Sequence, residues 1–344
     1  MRYITVMEYL KRYIADHHLE AGDRLPTEKE LADDLGVSRI TVRRAYQELM
    51  DSGYIQRIQG SGTFYTGKPE TPDHADKVHV PLVLVDNRSS YPTLEMIRGA
   101  DQYLGRHGCY LSVHFSQSDS AQERQTIRRL VDGGARCLMV YPCTASENSA
   151  FYYDLILSGV RIIFLDRLPR EITADLVTSD NFRGGYLAAR HLLEAGCTRP
   201  CLLSTDPLDR AEALVLRQNG FLFALGSDAR LFTDPQALLR ELTQGETPPD
   251  GLFFLNDAAA LRVLPLLEEA GIAVPRQLAL VSFDDLPFAA ELPTPLTEVS
   301  QSFFRLGYEG ARLAYHAITD PTELITRKIL PVALHIRDSS RRSQ

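Results

Sequence analysis

Hydrogen-bonding and cationic side chains are concentrated at the start of one predicted helix near the N-terminus. Ser38 can cap this helix, and its first turns carry Arg39, Thr41 and Arg43. Arg39 and Arg43 are four residues apart, so they project from the same side of the helix. A guanidinium group in the major groove can form a bidentate contact with the edge of a guanine. This pattern predicts a helix that reads DNA.

A shorter helix and a tight turn are predicted directly before this helix. Thr27 can cap the shorter helix, Glu30 completes a capping box with it, and Gly36 can end it. The following helix has an apolar stripe at helical spacing, formed by Val42, Ala45, Tyr46 and Leu49. Two helices joined in this way, with exposed donors at the start of the second, have the geometry of a helix-turn-helix.

A two-stranded wing is predicted after the helix-turn-helix. Strand-forming residues at 54–58 and 63–65 flank a turn that contains Gly60 and Gly62. Glycines here allow the backbone to approach a phosphate closely. Gln59 at the tip is long enough to enter a minor groove, so Gln59 and Gly60 join the candidate DNA-binding residues.

The charge and the composition of the chain change near residue 70. Residues 1–68 contain ten basic and ten acidic residues, so the net charge of −8 belongs to the rest of the chain. The attraction of the first part for phosphate must therefore be local and salt-sensitive. The polar segment that follows contains Pro69 and Pro72, which is typical of a linker. We predict a winged helix at 1–66, a linker at 67–77 and a larger domain at 78–344.

Short apolar runs alternate with amphipathic helices in the larger domain. Strands are predicted at 80–85, 110–115, 137–141, 161–165, 201–203, 252–255 and 278–283. Helices are predicted at 94–106, 123–131, 150–157, 184–194, 211–225 and 258–269. This alternation predicts parallel sheets with helices on both faces. The fold class is therefore α/β, preceded by a winged helix of the α+β class.

Four of the predicted strands lead into polar residues. Ligands of open parallel sheets bind beyond the carboxyl ends of the strands, which makes these positions candidates for a small-molecule site. The candidate effector-binding residues are Tyr91, Asp166, Arg167, Arg217, Asn256 and Asp284. Their carboxylates, amide and guanidinium groups match the donors and acceptors of a polyhydroxylated ligand, and an aromatic ring can cover the apolar face of a sugar.

Structural roles compete with ligand binding at several positions. Helix capping or turn formation is the expected role of Asp180, Asn181, Asp257 and Asp285. Structural ion pairs are the alternative role of Arg167 and Arg217, and packing is the alternative role of Tyr91.

Three separated motifs resemble the signature of the GntR-family winged helix. They are GDRLPTE at 22–28, VSRITVR at 37–43 and GSGTF at 60–64, and the resemblance covers residues 3–65. It implies that a hydroxyl at Thr27 touches a phosphate. It also implies DNA contacts at Lys29, Ser38, Arg39, Thr41, Arg43, Gln59 and Gly60.

Residues 80–336 resemble the effector domain of the LacI/GalR regulators, which is similar to periplasmic sugar-binding proteins. The motifs include IFLDR at 163–167, RQNGF at 217–221 and VSFDD at 281–285. The resemblance implies two α/β lobes joined by three crossovers, an effector between the lobes and a homodimer formed through this domain. It implies effector contacts at Asp166, Arg217, Asn256 and Asp284.

The sequence departs from that second family in three ways. The segment 226–233 is short, which predicts a trimmed lobe. Residues 214–216 are apolar where sugar binders often carry a polar group, which argues against a standard hexose. A GntR-type winged helix replaces the usual LacI-type DNA helix, and this combination resembles the arabinose-responsive repressors.

Sequence motifs for catalysis are not found, so no enzyme is predicted. The chain has no GxGxxG after a strand, no GxxxxGK[ST], no GxSxG and no HExxH, and its nine histidines lack metal-ligand spacing. No cofactor or metal is therefore expected. Five cysteines without CxxC pairing, no signal peptide and no long apolar run indicate a cytoplasmic protein that does not span a membrane.

The combined expectation is a dimeric transcription regulator that binds double-stranded operator DNA and a small, carbohydrate-like effector. Repression relieved by the effector is the main hypothesis. Activation, and effector-independent DNA binding with a degenerate pocket, are the alternatives. A pentose, a hexose, a sugar acid and a nucleoside all fit the predicted pocket residues.

Overall fold

The computed structural model describes residues 2–51, 53–58, 60–67, 78–85, 90–143, 147–206, 211–226, 229–284, 287–321 and 324–342. The chain divides into two compact units, Met1–Lys77 and Val78–Gln344.

Three helices and a small antiparallel sheet form the N-terminal unit. Its elements are α1 (Arg2–Asp16), α2 (Glu28–Leu35), α3 (Arg39–Asp51), β1 (Ile55–Ile58) and β2 (Gly62–Tyr65). The two strands pair with Ile55 opposite Tyr65. The apolar faces of all five elements meet in one core that contains Leu10, Leu31 and Tyr46. The predicted winged helix-turn-helix is confirmed.

Local hydrogen bonds fix the turn between α2 and α3. The hydroxyl of Thr27 accepts from the Glu30 N–H at 3.2 Å, and the Glu30 carboxylate accepts from the Thr27 N–H at 2.7 Å. Gly36 ends α2 with φ 61°, a left-handed conformation that favours glycine. Ser38 Oγ accepts from the Thr41 N–H at 3.3 Å. Each capping signal predicted here is present.

Two six-stranded sheets form the larger unit. The strands are β3 (His79–Leu84), β4 (Tyr110–Phe115), β5 (Cys137–Val140), β6 (Arg161–Leu165), β7 (Asp175–Ser179), β8 (Pro200–Leu203), β9 (Leu231–Phe232), β10 (Gly251–Phe254), β11 (Ala279–Asp284), β12 (Thr297–Ser300), β13 (Arg327–Leu330) and β14 (Ala333–His335). The first sheet has the order β13-β7-β6-β5-β3-β4, and the second has the order β14-β12-β11-β10-β8-β9. All neighbours are parallel except β12 and β14.

Helices cover these sheets, so the unit consists of two α/β lobes. The helices are α4 (Tyr91–Arg106), α5 (Ser120–Asp132), α6 (Ser149–Leu157), α7 (Asn181–Glu194), α8 (Glu212–Leu225), α9 (Pro235–Gln244), α10 (Asp257–Glu269) and α11 (Phe303–Thr319). The predicted alternation is confirmed, although the sequence did not predict β7, β9, α9, α11 or the strands from β12 onward.

The chain passes between the lobes three times, after β7, after β12 and after β13. Two hydrogen bonds join these passages. Ser179 Oγ donates to Gln301 Oε1 at 2.7 Å, and the Asp180 N–H donates to the Leu330 carbonyl at 2.8 Å. The two-lobed architecture that the resemblance implied is therefore present.

Glycine is required where α7 crosses α8. A Cβ atom at Gly185 would lie 1.8 Å from the Arg217 carbonyl oxygen, and one at Gly220 would lie 1.9 Å from the Phe182 carbonyl oxygen. These contacts set the separation of the two helices. Since α8 carries Arg217, they also set the position of that side chain.

Gly185→Ala should lower the free energy of unfolding by about 1–3 kcal/mol, because α7 and α8 must move apart to admit a methyl group. The matched control is Gly105→Ala in α4, where an added Cβ meets no atom within 4 Å. That substitution should raise stability by about 1 kcal/mol or leave it unchanged. Urea unfolding monitored by circular dichroism measures both, and equal effects would contradict the packing argument.

Candidate DNA interface and effector cleft

One side of α3 is buried in the core, and the opposite side is exposed and available to DNA. Val42, Ala45, Tyr46 and Leu49 are buried as predicted. The Tyr46 hydroxyl donates to the Pro26 carbonyl at 2.5 Å, and burial raises the pKa of this phenol. The helix is thereby anchored to the segment before α2. Ser38, Arg39 and Arg43 are exposed at its start.

Glu28 joins the recognition helix to the wing. Its carboxylate accepts from Arg43 Nε at 3.1 Å and from Arg57 Nη2 at 2.5 Å. Burial alone would raise the pKa of Glu28, but hydrogen bonds and charge from Arg57 and Arg43 outweigh it, and the pKa is lowered. Arg43 stays 68% exposed while its guanidinium is oriented. Sequence reasoning missed Glu28, because the spacing of charges along the chain does not show this three-way contact.

The other predicted DNA-binding residues lie on the surface of the same unit. Thr27, Lys29 and Gly60 are exposed, and Gly60 has φ 80° at the tip of the wing. The hydroxyls of Ser38 and Thr41 are 2.8 Å apart and hydrogen-bonded. Gln59 lies outside the described residues. The roles of these side chains on DNA stay predictions.

A cavity of about 250 Å³ lies between the two lobes of the larger unit. Five of the six predicted effector residues line it, namely Asp166, Arg167, Arg217, Asn256 and Asp284. Tyr91 is at the start of α4 and does not line the cavity, whereas Pro92 does. The cavity wall also includes Tyr141, Asp206 and Gln301, which sequence reasoning missed.

Arg217 and Asp284 face each other across the floor of this cleft. Arg217 Nη1 lies 3.5 Å from Asp284 Oδ1, and its guanidinium lies 3.5 Å from the centre of the Phe283 ring. Arg217 also donates to Asn181 Oδ1 at 2.8 Å and to the Leu255 carbonyl at 2.7 Å. The ion pair named as an alternative for Arg217 is therefore present, and it is made within the cleft itself.

Asp166 and Arg167 form a second charged pair in the cleft, with Arg167 Nε 3.7 Å from Asp166 Oδ2. Arg167 Nη2 donates to the Tyr141 hydroxyl at 2.6 Å, and the guanidinium lies over that ring. Among the described residues, Asp166 Oδ1 and Arg167 Nε are buried atoms without a hydrogen-bond partner. Buried polar atoms are normally satisfied, so this pair has one acceptor and one donor to offer a ligand.

The residue that caps α10 is Asn256, one position before the predicted Asp257. The expected capping role of Asp257 is wrong, because Asn256 Oδ1 accepts from the Ala259 N–H at 2.9 Å and caps α10. Asp257 is buried instead and accepts from Ser282 Oγ at 2.6 Å. The expected capping role of Asp180 is confirmed, since its carboxylate accepts from the Arg183 N–H at 3.0 Å. Asp285 lies outside the described residues.

Two cleft carboxylates stand on strained backbone. Asp166 has φ 64° and Asp284 has φ 119°, values that residues with side chains rarely adopt. Both residues are at the carboxyl ends of strands in neighbouring lobes. Strain of this kind persists where the surrounding structure enforces it, and it is concentrated at binding sites.

Burial raises the pKa of Asp284 to about 7. The nearby carboxylates of Asp257 and Asp166 add to the rise, while Arg217 and a hydrogen bond from Gln301 oppose it. Gln301 Nε2 donates to Asp284 Oδ1 at 2.6 Å. The same glutamine accepts from Ser179, so it connects the cleft with two of the passages between the lobes.

The described residues contain no cluster of three or more His, Cys, Asp or Glu side chains arranged to hold a metal ion. Within the same residues, no helix combines the length and apolar character needed to cross a membrane.

Each of the two units contains a segment that matches the model of a known protein family. Residues 2–64 match the model of bacterial regulatory proteins of the gntR family, and residues 189–340 match a periplasmic binding protein-like domain. The chain therefore combines a gntR-type helix-turn-helix with a two-lobed domain of the periplasmic-binding-protein fold. This confirms the predicted class, a DNA-binding transcription regulator with a LacI-like sensor.

Individual relatives agree with this assignment. The arabinose metabolism transcriptional repressor of Geobacillus stearothermophilus is 25% identical over 92% of this chain and 91% of its own length. A LacI family transcriptional regulator from Enterococcus faecium, solved with bound ribose, is 25% identical with a TM-score of 0.64, over 76% of this chain and 98% of that chain. The transcriptional regulator CelR in complex with cellobiose shares the fold, at 22% identity and a TM-score of 0.67, over 92% of this chain and 100% of that chain.

Asp284→Asn should stabilise the protein relative to the natural chain as the pH rises from 5.5 to 8. The pKa of Asp284 is about 7 in the folded state, well above that of an aspartate in the unfolded chain, so the stability of the natural protein falls as the pH rises through about 7, and a neutral amide removes this loss. Asparagine also tolerates positive φ better than most residues. We expect the difference in Tm to grow by about 2–4 °C across this range, measured by calorimetry.

The control for this experiment is Asp101→Asn, on an exposed turn of α4. Its Tm should run parallel to that of the natural protein at every pH. A parallel profile for Asp284→Asn as well would contradict the raised pKa.

Proposed function

We propose that this chain is a transcriptional repressor that releases its operator when a neutral monosaccharide binds between the lobes. In this proposal residues 1–66 read DNA, 67–77 link the domains, and 78–344 bind the effector and form a homodimer. The observation that carries the proposal is the convergence of Asp166, Arg167, Arg217 and Asp284 on one cleft. Because a repressor must reach chromosomal DNA, we propose that the protein is cytoplasmic.

The size of the cleft favours a small ligand. Its volume of about 250 Å³ is just below the usual range of small-molecule sites, which begins at about 300 Å³. A single sugar ring suits this space better than a disaccharide or a nucleoside. Relatives named for arabinose metabolism and solved with ribose support the same class.

The charges of the cleft favour a neutral ligand over a sugar acid. Among the residues that the structure describes, the lining has three carboxylates, on Asp166, Asp206 and Asp284, and two guanidinium groups, on Arg167 and Arg217. Both guanidinium groups already face a carboxylate. An added carboxylate would bring a further negative charge into a buried site whose described lining residues include no free cation to match it. Sugar hydroxyls can donate to the aspartates and accept from the arginines.

Closure of the lobes links the effector to DNA binding in this proposal. A ligand that bridges Asp166 of one lobe and Asp284 of the other favours the closed cleft. Asp284 is hydrogen-bonded to Gln301, which lies on a passage between the lobes, so closure changes the geometry of the passages. A coupling of about 1–3 kcal/mol changes operator affinity by about 5- to 150-fold.

An apolar groove on α10 supports the proposed homodimer. It is lined by Leu261, Leu264 and Pro265 together with Ile272 and Leu292. Leu261 is 50% exposed and lies within this contiguous apolar lining, and contiguous exposed apolar patches mark interaction surfaces. We propose that the same groove of a second copy covers it. Two readers then contact half-sites whose centres are about one helical turn of DNA, or a multiple of it, apart.

Two substitutions should separate DNA reading from effector sensing. DNA selected from a random pool by the natural chain defines the operator, and fluorescence anisotropy gives its affinity with and without arabinose, ribose, xylose, glucose or galacturonate. We expect a neutral sugar, and not galacturonate, to release the DNA. Arg43→Ala should weaken operator binding by about 5- to 150-fold and keep sugar affinity. Asp284→Ala should keep operator binding and lose the response to sugar.

The outcomes distinguish the competing functions. Operator binding without release by any sugar would favour a DNA-binding protein with a degenerate pocket. Loss of DNA binding alone in Asp284→Ala would refute the division of labour between the units. Thermal-shift measurements with the same sugars report binding independently of DNA.

Leu261→Glu should convert the dimer into a monomer, because a carboxylate cannot be buried in an apolar groove without a partner. The control is Phe223→Glu, which replaces a 70% exposed aromatic residue on α8, away from the groove. Light scattering after size-exclusion chromatography measures both masses. A dimeric Leu261→Glu variant would place the contact elsewhere.

A further inference from the structure

Ile40 is an apolar side chain left in solvent at the start of the recognition helix. At 78% exposure it is the most exposed large hydrophobic residue in the part of the chain that the structure describes. It lies in the first turn of α3, between Arg39 and Thr41. Ile40 is not part of the core of the N-terminal unit. Helix α3 packs on that core through Val42 and Tyr46.

The position of Ile40 on α3 is opposite the buried stripe. Successive residues of a helix are rotated by about 100°, so Ile40 points away from the side of Val42, Ala45, Tyr46 and Leu49. It shares its own side with Arg43 and Arg44, which follow at i+3 and i+4. The outward surface of the first turns therefore presents one branched apolar group beside guanidinium groups.

The cations around Ile40 are held to one side by their partners. Arg43 is bonded to Glu28, and the Arg44 guanidinium lies 4.2 Å from the centre of the Tyr3 ring and 4.0 Å from Glu48. With the guanidinium groups in these positions, Ile40 is 78% exposed. Ile40 stays available to an apolar group that approaches the start of the helix.

We propose that Ile40 determines specificity by packing against the 5-methyl group of a thymine in the major groove. The inference rests on the proposed DNA-reading role of α3. Thymine is the only one of the four bases that presents a methyl group in that groove, and apolar side chains read it by contact. Arginines at the same end of the helix can read guanine edges. Together, the arginines and Ile40 would select a half-site that contains both guanine and thymine.

The test removes the methyl group from the DNA and the side chain from the protein in turn. Operator DNA selected by the natural full-length chain is made with deoxyuridine in place of each thymine, one position at a time. The natural chain should lose about four-fold in affinity at one thymine of each half-site, the effect of leaving one methyl-sized group unburied. Ile40→Ala should bind the thymine and uracil forms of that site equally.

The control is Ile58→Ala, which removes an exposed isoleucine from strand β1 of the same unit. It should discriminate thymine from uracil as the natural chain does. Because Ile40 and Ile58 are outside the core, both variants should keep the Tm of the natural chain.

Two results would overturn the inference while the proposed function stands. One is a natural chain that selects an operator yet binds every uracil form as tightly as thymine. The other is an Ile40→Ala variant that keeps the full discrimination. A natural chain that selects no DNA sequence at all would instead overturn the proposed function, and the role of Ile40 with it.

Discussion

Buried charge at the carboxyl ends of the strands is the constraint on which the larger unit depends. Asp166 and Asp284 are held in the cleft on backbone with positive φ, and each faces a guanidinium group. Burying such groups carries a desolvation penalty that their mutual attraction only partly offsets. The raised pKa of Asp284 is the measure of that penalty. Parallel sheets and close-packed helices must hold these groups in place, since the groups do not stabilise the fold by themselves.

The buried charge at Asp284 is connected to the segments that pass between the lobes. Gln301 donates to Asp284 and accepts from Ser179, so two passages and one cleft carboxylate share a single side chain. A ligand that satisfies the carboxylate competes for the same oxygen that Gln301 contacts. One side chain therefore connects Asp284 with two of the segments that join the lobes.

The sequence predicts those parts of the fold whose causes are local. The capping box at Thr27, the left-handed glycine at Gly36 and the alternation of apolar runs with helices depend on neighbouring residues, and the structure contains them. Strand β7 was missed because only Leu176 and Val177 are apolar in its centre, and its pairing partners β6 and β13 supply the rest of its stability. Helices α9 and α11 were not predicted, although their apolar residues are spaced for a helix, as at the buried Leu238 and Leu242 of α9.

The site was predicted to a similar degree and for the same reason. Residues at strand ends are visible in the sequence because a polar group follows an apolar run, and five of the six proposed effector residues line one cleft. Gln301 and Glu28 act through partners that are distant along the chain, at Ser179 and Asp284 for the first and at Arg43 and Arg57 for the second. No local pattern marks such residues.

The two units solve a shared problem with the same chemistry. Each must keep a guanidinium group ordered before its ligand arrives, because a flexible arginine loses conformational entropy on binding. A carboxylate does this in both places, Glu28 for Arg43 and Asp284 for Arg217. The two carboxylates are similarly covered, but the Arg43 side chain is 68% exposed whereas that of Arg217 is 4% exposed. An exposed pair exchanges its carboxylate for phosphate or base with little penalty. A buried pair can be replaced only by a ligand that supplies matching hydrogen bonds, because its charges would otherwise stay desolvated and unpaired.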